Sequence, residues 1–169
     1  MTSRSSSETK ARRLERGHGV PSVVRREYPD APIVGVGAVI LDGNRVLLVR
    51  RGQEPMKGEW SIPGGGLELG EAIDAAVRRE VLEETGLLVE TQAIVEVLDK
   101  IVTEDGHVRF HYVLIDYLCR VQGGALKPGS DADDVRWVRH EELNSHGIYR
   151  LAPATVTVIE KAFGMAQGE

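Results

Sequence analysis

The feature that most restricts the fold is a predicted helix that carries glutamates on its apolar side. Residues 71–85 are expected to be helical, and Gly86 follows at the position where a helix-ending glycine is typical. On a helix that advances about 100° per residue, Glu84 lies about 40° and Val77 about 60° from Glu80. Because an apolar face packs against the core, these carboxylates must lie where the helix meets another element. The pattern therefore excludes a fully solvated helix.

Carboxylates clustered at such an interface need a neutralising charge. Glu83 lies at the edge of the same face, so two or three like charges are held close together, and Arg79 can pair with Glu83 one turn along the helix. Desolvated carboxylates take up protons unless a cation neutralises them. Oxygen-rich sites of this kind suit Mg²⁺ or Mn²⁺ rather than Zn²⁺. The sequence thus predicts a divalent metal site on this helix.

Three glycines, residues 64–66, precede the helix and allow a backbone to approach a metal ion or a phosphate closely. A second pair, Gly35 and Gly37, suggests a dinucleotide-binding loop, but Ile40 stands where that motif needs its third glycine. Both residues also lie inside a predicted strand rather than at a turn between a strand and a helix. They are expected to allow close packing of a neighbouring element.

The remaining pattern predicts a mixed β-sheet between helices, a fold of the α/β class. Apolar runs predict strands over residues 33–41, 45–50, 60–62, 87–102, 108–121 and 135–138, of which the fourth is expected to be broken. The sequence Asp42-Gly43-Asn44 predicts a hairpin turn between the first two strands. Apolar residues at helical spacing predict a last helix over residues 152–165, packed on the sheet.

Charge is unevenly distributed along the 169 residues. Residues 1–28 hold seven Lys/Arg and three Glu, a net charge of +4, whereas the remainder holds 14 basic and 23 acidic residues, a net charge of −9. We expect a basic, Ser/Arg-rich N-terminal tail over residues 1–28 and one domain over residues 29–169. The tail is either solvated or an organelle-targeting segment. The acidic body argues against a nucleic-acid partner, and an anionic substrate would need a metal ion to bind it.

The composition excludes several other classes of protein. A single cysteine, Cys119, can form neither an intrachain disulfide nor a zinc site. No apolar run reaches the ~20 residues of a membrane span, and no apolar stretch typical of a secretory signal follows the N-terminal charges. We therefore expect a cytoplasmic protein without a membrane partner.

Residues 65–87 resemble the complete signature of the Nudix hydrolases. Five residues separate Gly65 from Glu71, and seven more precede the run Arg79-Glu80-Val81-Leu82-Glu83-Glu84-Thr85-Gly86-Leu87. The resemblance extends over residues 33–165, through Trp60-Ser61-Ile62-Pro63-Gly64 and Asp134-Val135-Arg136-Trp137-Val138. It implies the family's α/β/α sandwich and its reaction, in which water attacks phosphorus and hydrolyses a nucleoside diphosphate linked to a second moiety, X.

The resemblance also implies the residues of the site. Glu80 and Glu84 match the principal Mg²⁺ ligands, and Glu83 and the Gly65 carbonyl oxygen complete the site. Glu71 and Arg79 match the residues that orient the loop and the helix. With Mg²⁺ bound, and Mn²⁺ as a substitute, these residues form the centre of the expected catalytic apparatus.

Two further residues are implied outside this segment. Arg51, after the second strand, resembles the arginine that contacts substrate phosphates in some members. Some members that cleave triphosphates add a carboxylate from the loop before the strand bearing a late tryptophan. Asp131, six residues before Trp137, has the best matching spacing and is expected to ligate the metal or orient the attacking water. A turn in which Asp131 and Asp133 cap backbone amides is the alternative.

Three functions fit these features. An ADP-ribose or nucleotide-sugar pyrophosphohydrolase is favoured, and a house-cleaning hydrolase of oxidised nucleoside triphosphates is the alternative. Many ADP-ribose enzymes of the family carry a proline about 16 residues after the signature, and residues 100–105 contain none. A non-catalytic nucleotide sensor is the remote alternative, since such a module would be expected to lose the glutamates. Some members dimerise through strand exchange, so a homodimer stays open.

Overall fold

The computed structural model describes residues 25–53, 56–129, 131–143 and 148–168. The strands within these ranges are β1 Ile33–Asp42, β2 Arg45–Arg51, β3 Trp60–Ser61, β4 Gly64–Gly66, β5 Leu87–Glu104, β6 His107–Gly124 and β7 Ala132–Arg139. The helices are α1 Ile73–Thr85, α2 His140–Leu143 and α3 Pro153–Gln167. Every predicted element is present, and the short elements β4 and α2 are additional.

Strand β1 organises the sheet because different parts of it pair with different strands. Residues 33–40 pair in parallel with β6, which in turn pairs antiparallel with β5. Residues 35–37 pair antiparallel with β4, whereas Leu41 and Asp42 pair with β2. Strand β2 then diverges from β1 to pair with β3 and β7. The sheet therefore consists of a first half-sheet (β4, β1, β6 and β5) and a second half-sheet (β3, β2 and β7), joined at the β1–β2 hairpin.

A helix covers each face of the sheet. Val36, Ala38 and Ile40 of β1 share one buried cluster with Val77 of α1. Val39 belongs to the opposite cluster, together with the buried residues of α3. Consecutive residues of β1 thus face different helices, as the two-residue period of a strand requires. This mixed sheet between helices confirms the predicted α/β/α sandwich.

Helix α1 begins at Ile73, two residues later than its sequence predicts. Glu71 donates its backbone N–H to the Glu68 carbonyl oxygen, and the Glu71 carboxylate accepts from the Glu68 N–H, so these residues form a turn instead. The helix ends as predicted at Gly86, whose φ of 70° is left-handed. Its N–H donates to the Leu82 carbonyl oxygen, which completes the last turn.

The prediction of a broken fourth strand is wrong, because β5 is continuous over 18 residues. Its register against β6 shifts at four places, between Leu88 and Val89, Thr91 and Ala93, Ile94 and Glu96, and Val102 and Thr103. Such bulges accommodate an irregular apolar pattern without ending the strand. Strands β5 and β6 consequently form a long hairpin.

The predicted boundary at residue 28 falls at a point of contact with this hairpin. Tyr28 donates its N–H to the Arg109 carbonyl oxygen and its hydroxyl to Glu104. Glu27 pairs with the Arg109 guanidinium at 3.0 Å. Residues 1–24 of the predicted tail lie outside the described residues. Among the described helices, none is long and apolar enough to cross a membrane.

The two glycines of β1 lie against side chains of the neighbouring strand β6. A Cβ at Gly35 would lie 2.7 Å from Leu114 Cδ2, and one at Gly37 would overlap the carboxylate of Asp116. Asp116 on β6 is 6% exposed. It lies opposite Gly37 on one side and Glu96 of β5 on the other. Burial raises the pKa of Asp116 to about 6, and the negative charge of Glu96 contributes to the rise.

We expect Asp116→Asn to stabilise the fold at neutral pH. The pKa of Asp116 is about 6 in the folded chain, whereas its ordinary value is 3.8. As the pH rises between these two values, the carboxyl group ionises more readily in the unfolded chain, so the folded chain loses stability. A difference of about two pKa units corresponds to about 3 kcal/mol at pH 7. Urea unfolding should therefore show a gain of about 2–3 kcal/mol at pH 7 that disappears near pH 4. A gain of the same size at both pH values would contradict the electrostatic origin.

Candidate active site

Glu80 and Glu84 of α1 face the glycine strand β4. The Gly64 N–H donates to Glu84 Oε2 at 2.9 Å. A Cβ at Gly65 would overlap the carboxyl group of Glu80, so a residue without a side chain is required there. The two carboxylates predicted to share the apolar face of the helix therefore do lie at an interface, against the backbone of a neighbouring strand.

The surroundings of these carboxylates disfavour their charged forms. Burial raises the pKa of Glu84 to about 7, the nearby Glu80 and Asp131 charges add to the rise, and the Gly64 N–H and the Arg51 charge oppose it. Burial also raises the pKa of Glu80, against the opposing hydrogen bond from Arg79. A bound cation would stabilise both carboxylates in their charged form.

Arg79 connects the helix with the loop that precedes it. Its Nε and Nη2 each lie 2.9 Å from a different oxygen of Glu71, and Nη2 also donates to the Gly66 carbonyl oxygen at 3.0 Å. Its Nη1 lies 2.7 Å from Glu80 Oε1. The hydrogen bond from Arg79 lowers the pKa of Glu71. These contacts connect the loop with Glu80, and the orienting role of Arg79 and Glu71 stays a prediction.

Glu83 is more exposed than the other two glutamates. Its side chain is 59% exposed, and its carboxylate is 3.6 Å from Arg79 Nη1. The expected pairing of Arg79 with Glu83 is therefore the weakest contact of that arginine, because the planar guanidinium matches Glu71 with two parallel hydrogen bonds instead. The charge of Glu83 contributes to the raised pKa of Glu80, and both carboxylates contact Arg79 Nη1. The role of Glu83 as a ligand stays a prediction.

The second half-sheet contributes Arg51 and Asp131 to the same site. The charges of both residues act on Glu84 in opposite directions. The Gly52 N–H donates to the Asp131 carbonyl oxygen at 2.9 Å, and Gln53 Nε2 donates to Asp131 Oδ1 at 2.6 Å. The pairing of β2 with β7 shifts at this point, so that Arg50 lies opposite Asp134 and Arg51 opposite Ala132. This bulge holds Asp131 beside the end of β2.

The loop between β6 and β7 attaches Asp131 to α1. The Lys127 N–H donates to the Thr85 carbonyl oxygen at 3.0 Å, and the Gly129 N–H donates to the Glu84 carbonyl oxygen at 2.9 Å. Both acceptors belong to the last turn of α1, whose carbonyl groups have no partner within the helix. The loop therefore supplies hydrogen bonds to the carbonyl groups at the end of the helix, and these bonds fix the backbone close to Asp131.

We expect Gly129→Ala to destabilise the protein by about 2–3 kcal/mol, because a Cβ there would overlap the Glu83 carbonyl group and the backbone must move. Gly164→Ala is the matched control, since no atom lies within 4 Å of its added Cβ and alanine favours the helix. Chemical denaturation of both variants measures the difference. Equal stability of the two variants would show that the loop accommodates the added methyl group without a loss of stability.

The chemistry of the donor set fits a divalent metal ion. Among the residues that the structure describes, no group of three His, Cys, Asp or Glu side chains is already gathered to hold a metal. The candidate ligands are instead two carboxylates and the Gly65 carbonyl oxygen, brought together by the absence of a side chain at Gly65. Oxygen donors of this kind suit Mg²⁺ or Mn²⁺.

Sequence reasoning missed three contributors to this site. The Gly64 amide acts through its backbone, and Gly129 acts through the space that it leaves for α1. Gln53 is a single polar residue in a loop and lies 78 positions from Asp131. The glycine run was a usable signal for the first, whereas nothing in the local sequence indicates the other two.

Known proteins share both the sequence and the fold of this chain. The model of the NUDIX domain matches residues 31–160. The ADP-ribose pyrophosphatase of Methanocaldococcus jannaschii is 37% identical over 106 residues, which cover 63% of this chain and 61% of that protein. The 8-oxo-dGDP phosphatase NUDT18 of Mus musculus is 37% identical over 90 residues, which cover 53% of this chain and 25% of that protein. The matched part thus spans less than two thirds of each relative.

A solved structure shows the same architecture. The NUDIX hydrolase from Nitrosomonas europaea superposes with a TM-score of 0.69 at 25% identity, covering 80% of this chain and 90% of that one. The segment matched by the domain model contains α1, β4, Arg51 and Asp131, the parts from which the site is built. This match over most of the chain, together with the shared fold, establishes that the protein belongs to the NUDIX domain family.

Proposed function

We propose that this protein hydrolyses the pyrophosphate bond of a nucleoside diphosphate linked to X, with Mg²⁺ as the cofactor. The observation that carries the proposal is the placement of Glu80 and Glu84 against the glycine strand, where burial raises the pKa of both. The charges of Arg51 and Asp131 act on the same carboxylate. Divalent metal use is typical of Nudix hydrolases, and the donor set described above agrees with it.

The residues of the site match the needs of phosphoryl transfer, which depends on positioning and charge neutralisation more than on covalent chemistry. Glu80, Glu84 and the Gly65 carbonyl oxygen would hold the metal ion. When bound, the ion supplies positive charge for the phosphates and lowers the pKa of a coordinated water. Arg51 binds a substrate phosphate, and Asp131 ligates the metal or orients the attacking water.

The orienting role falls to Arg79 and Glu71. Their two parallel hydrogen bonds hold the loop of residues 66–72 against the helix, and the third contact of Arg79 fixes the direction of Glu80. Ligands held in advance need no rearrangement when substrate binds. We therefore assign Arg79 and Glu71 to positioning rather than to contact with the substrate.

An ADP-ribose or nucleotide-sugar substrate is favoured for this site. The relative from Methanocaldococcus jannaschii is named an ADP-ribose pyrophosphatase and is 37% identical over the matched region. The alternative, hydrolysis of oxidised nucleotides, is favoured by the equal identity to the 8-oxo-dGDP phosphatase NUDT18 over a shorter region. A non-catalytic nucleotide sensor stays the remote alternative, because the glutamates of the signature are all present.

A panel of substrates tests the proposal. The full chain is incubated in Mg²⁺ with ADP-ribose, a nucleotide sugar, a dinucleoside polyphosphate, 8-oxo-dGTP and 8-oxo-dGDP, and the products are separated by anion-exchange chromatography. Release of AMP and a sugar phosphate from ADP-ribose supports the favoured substrate, and preference for the oxidised nucleotides supports the alternative. Binding without hydrolysis of any compound would contradict the catalytic proposal and favour the sensor.

A further inference from the structure

Gln53 forms a direct contact with Asp131 across a long stretch of sequence. Its side-chain Nε2 donates to Asp131 Oδ1 at 2.6 Å, and the two residues lie 78 positions apart. Both are exposed, so burial alone does not restrict either side chain. A hydrogen bond between them must therefore offset the loss of rotamer freedom that it requires.

The backbone of Asp131 is held independently of the Gln53 side chain. On one side, the Gly52 N–H donates to the Asp131 carbonyl oxygen at 2.9 Å. On the other side, Gly129 is hydrogen-bonded to the Glu84 carbonyl oxygen. What the Gln53 amide adds is the direction of the Asp131 carboxylate.

That direction is otherwise free to change, because an exposed aspartate can rotate its carboxylate in solvent. A donor on Oδ1 resists this rotation, and a hydrogen bond to a charged group is strong enough to do so.

We propose that Gln53 is a positioning residue that fixes the direction of the Asp131 carboxylate beside the end of β2. This inference rests on the proposed function, since the role of Asp131 belongs to that proposal. Gln53 does not contact the reacting atoms; its amide occupies Oδ1 and thereby fixes the direction in which Oδ2 points. Loss of the Gln53 amide would leave the backbone of the loop in place and would allow only the Asp131 carboxylate to rotate.

The test is a double-mutant cycle of the full chain that combines Gln53→Leu with Asp131→Asn. Gln53→Leu keeps most of the side-chain length and removes the donor, and we expect about a tenfold loss of kcat with little change in KM. In the Asp131→Asn background the same substitution should cause no further loss. Gln122→Leu is the matched control, because Gln122 is also exposed and donates to a carboxylate, that of Glu90, at 2.8 Å.

A second measurement needs no turnover and no metal. The side-chain amide signals of Gln53 in a nitrogen–proton NMR spectrum are identified by their loss in Gln53→Leu. They should shift in Asp131→Asn and stay in place in Asp74→Asn. Unfolding temperatures of all variants show that the fold is retained.

The outcomes separate this inference from the proposed reaction. If the wild type hydrolyses substrate but Gln53→Leu causes equal losses of kcat in both backgrounds, the positioning role is overturned. The proposed reaction is not affected by that result. Full activity of Asp131→Asn overturns the roles of Asp131 and Gln53 but leaves the proposed reaction unaffected. If the wild type hydrolyses no compound, the proposed function fails, and an unshifted Gln53 signal in Asp131→Asn would overturn the positioning contact as well.

Discussion

Glu84→Gln is expected to lower kcat by more than about a hundredfold while the protein stays folded, which corresponds to about 3 kcal/mol of lost transition-state stabilisation. The substitution keeps the size of the side chain and an oxygen that can accept from the Gly64 N–H. It removes the negative charge that would hold the metal. Because burial raises the pKa of Glu84 to about 7, an uncharged side chain should increase stability at neutral pH, as is expected of Asp116→Asn.

Two further variants make the result specific. Asp74→Asn is the control, since Asp74 lies on the same helix but is exposed and pairs with Arg78 at 2.8 Å. Its activity should match that of the wild type. Glu83→Gln should cost less than Glu84→Gln, because Glu83 is 59% exposed, whereas Glu84 accepts a hydrogen bond from the glycine strand. Near-normal kcat of Glu84→Gln at saturating Mg²⁺ would remove Glu84 from the site.

Removal of divalent metal is expected to abolish hydrolysis. Turnover should be absent in excess EDTA and should return on addition of Mg²⁺ or Mn²⁺, because the candidate ligands are oxygen atoms that these ions prefer. The measurement is product release across a titration of each ion. Undiminished hydrolysis in the chelator would show that the carboxylates act without a metal.

The metal requirement should also depend on pH. Protons and metal ions compete for the same carboxylate oxygens, so more Mg²⁺ is needed for half-maximal activity as the pH falls. The direction follows from the pKa of Glu84, which burial raises to about 7 and which places protonation within the range of the assay. A Mg²⁺ requirement that stays constant between pH 6 and pH 8 would contradict this competition.

Sequence alone predicts the helix and its two inward carboxylates well. The apolar residues and the glutamates of α1 share one angular period, and the structure places Val77 in the core and Glu84 against Gly64. The strands predicted from apolar runs are likewise all present. Such features are local, because they follow from the spacing of residues within one element.

The remaining parts of the site depend on contacts between distant segments. Strand β4 consists of three glycines, which carry no side-chain pattern, so its pairing with residues 35–37 is visible in the structure alone. Gln53 is recognisable as a contributor once Asp131 is placed beside it. The preference of Arg79 for Glu71 in the preceding loop over Glu83 on its own helix also depends on how the chain folds back.

The division of the sheet has a mechanical consequence. Strands β1 and β2 are joined at Leu41 and Asp42, whereas Gly35 and Arg51 lie six residues from the hairpin, or roughly 20 Å along each strand. Over such an arm, a rotation of about 3° moves the far end by about 1 Å, and a displacement of that size can reduce a rate by about a hundredfold. The turn at residues 42–45 lies far along the strands from the candidate groups, yet its geometry contributes to their spacing.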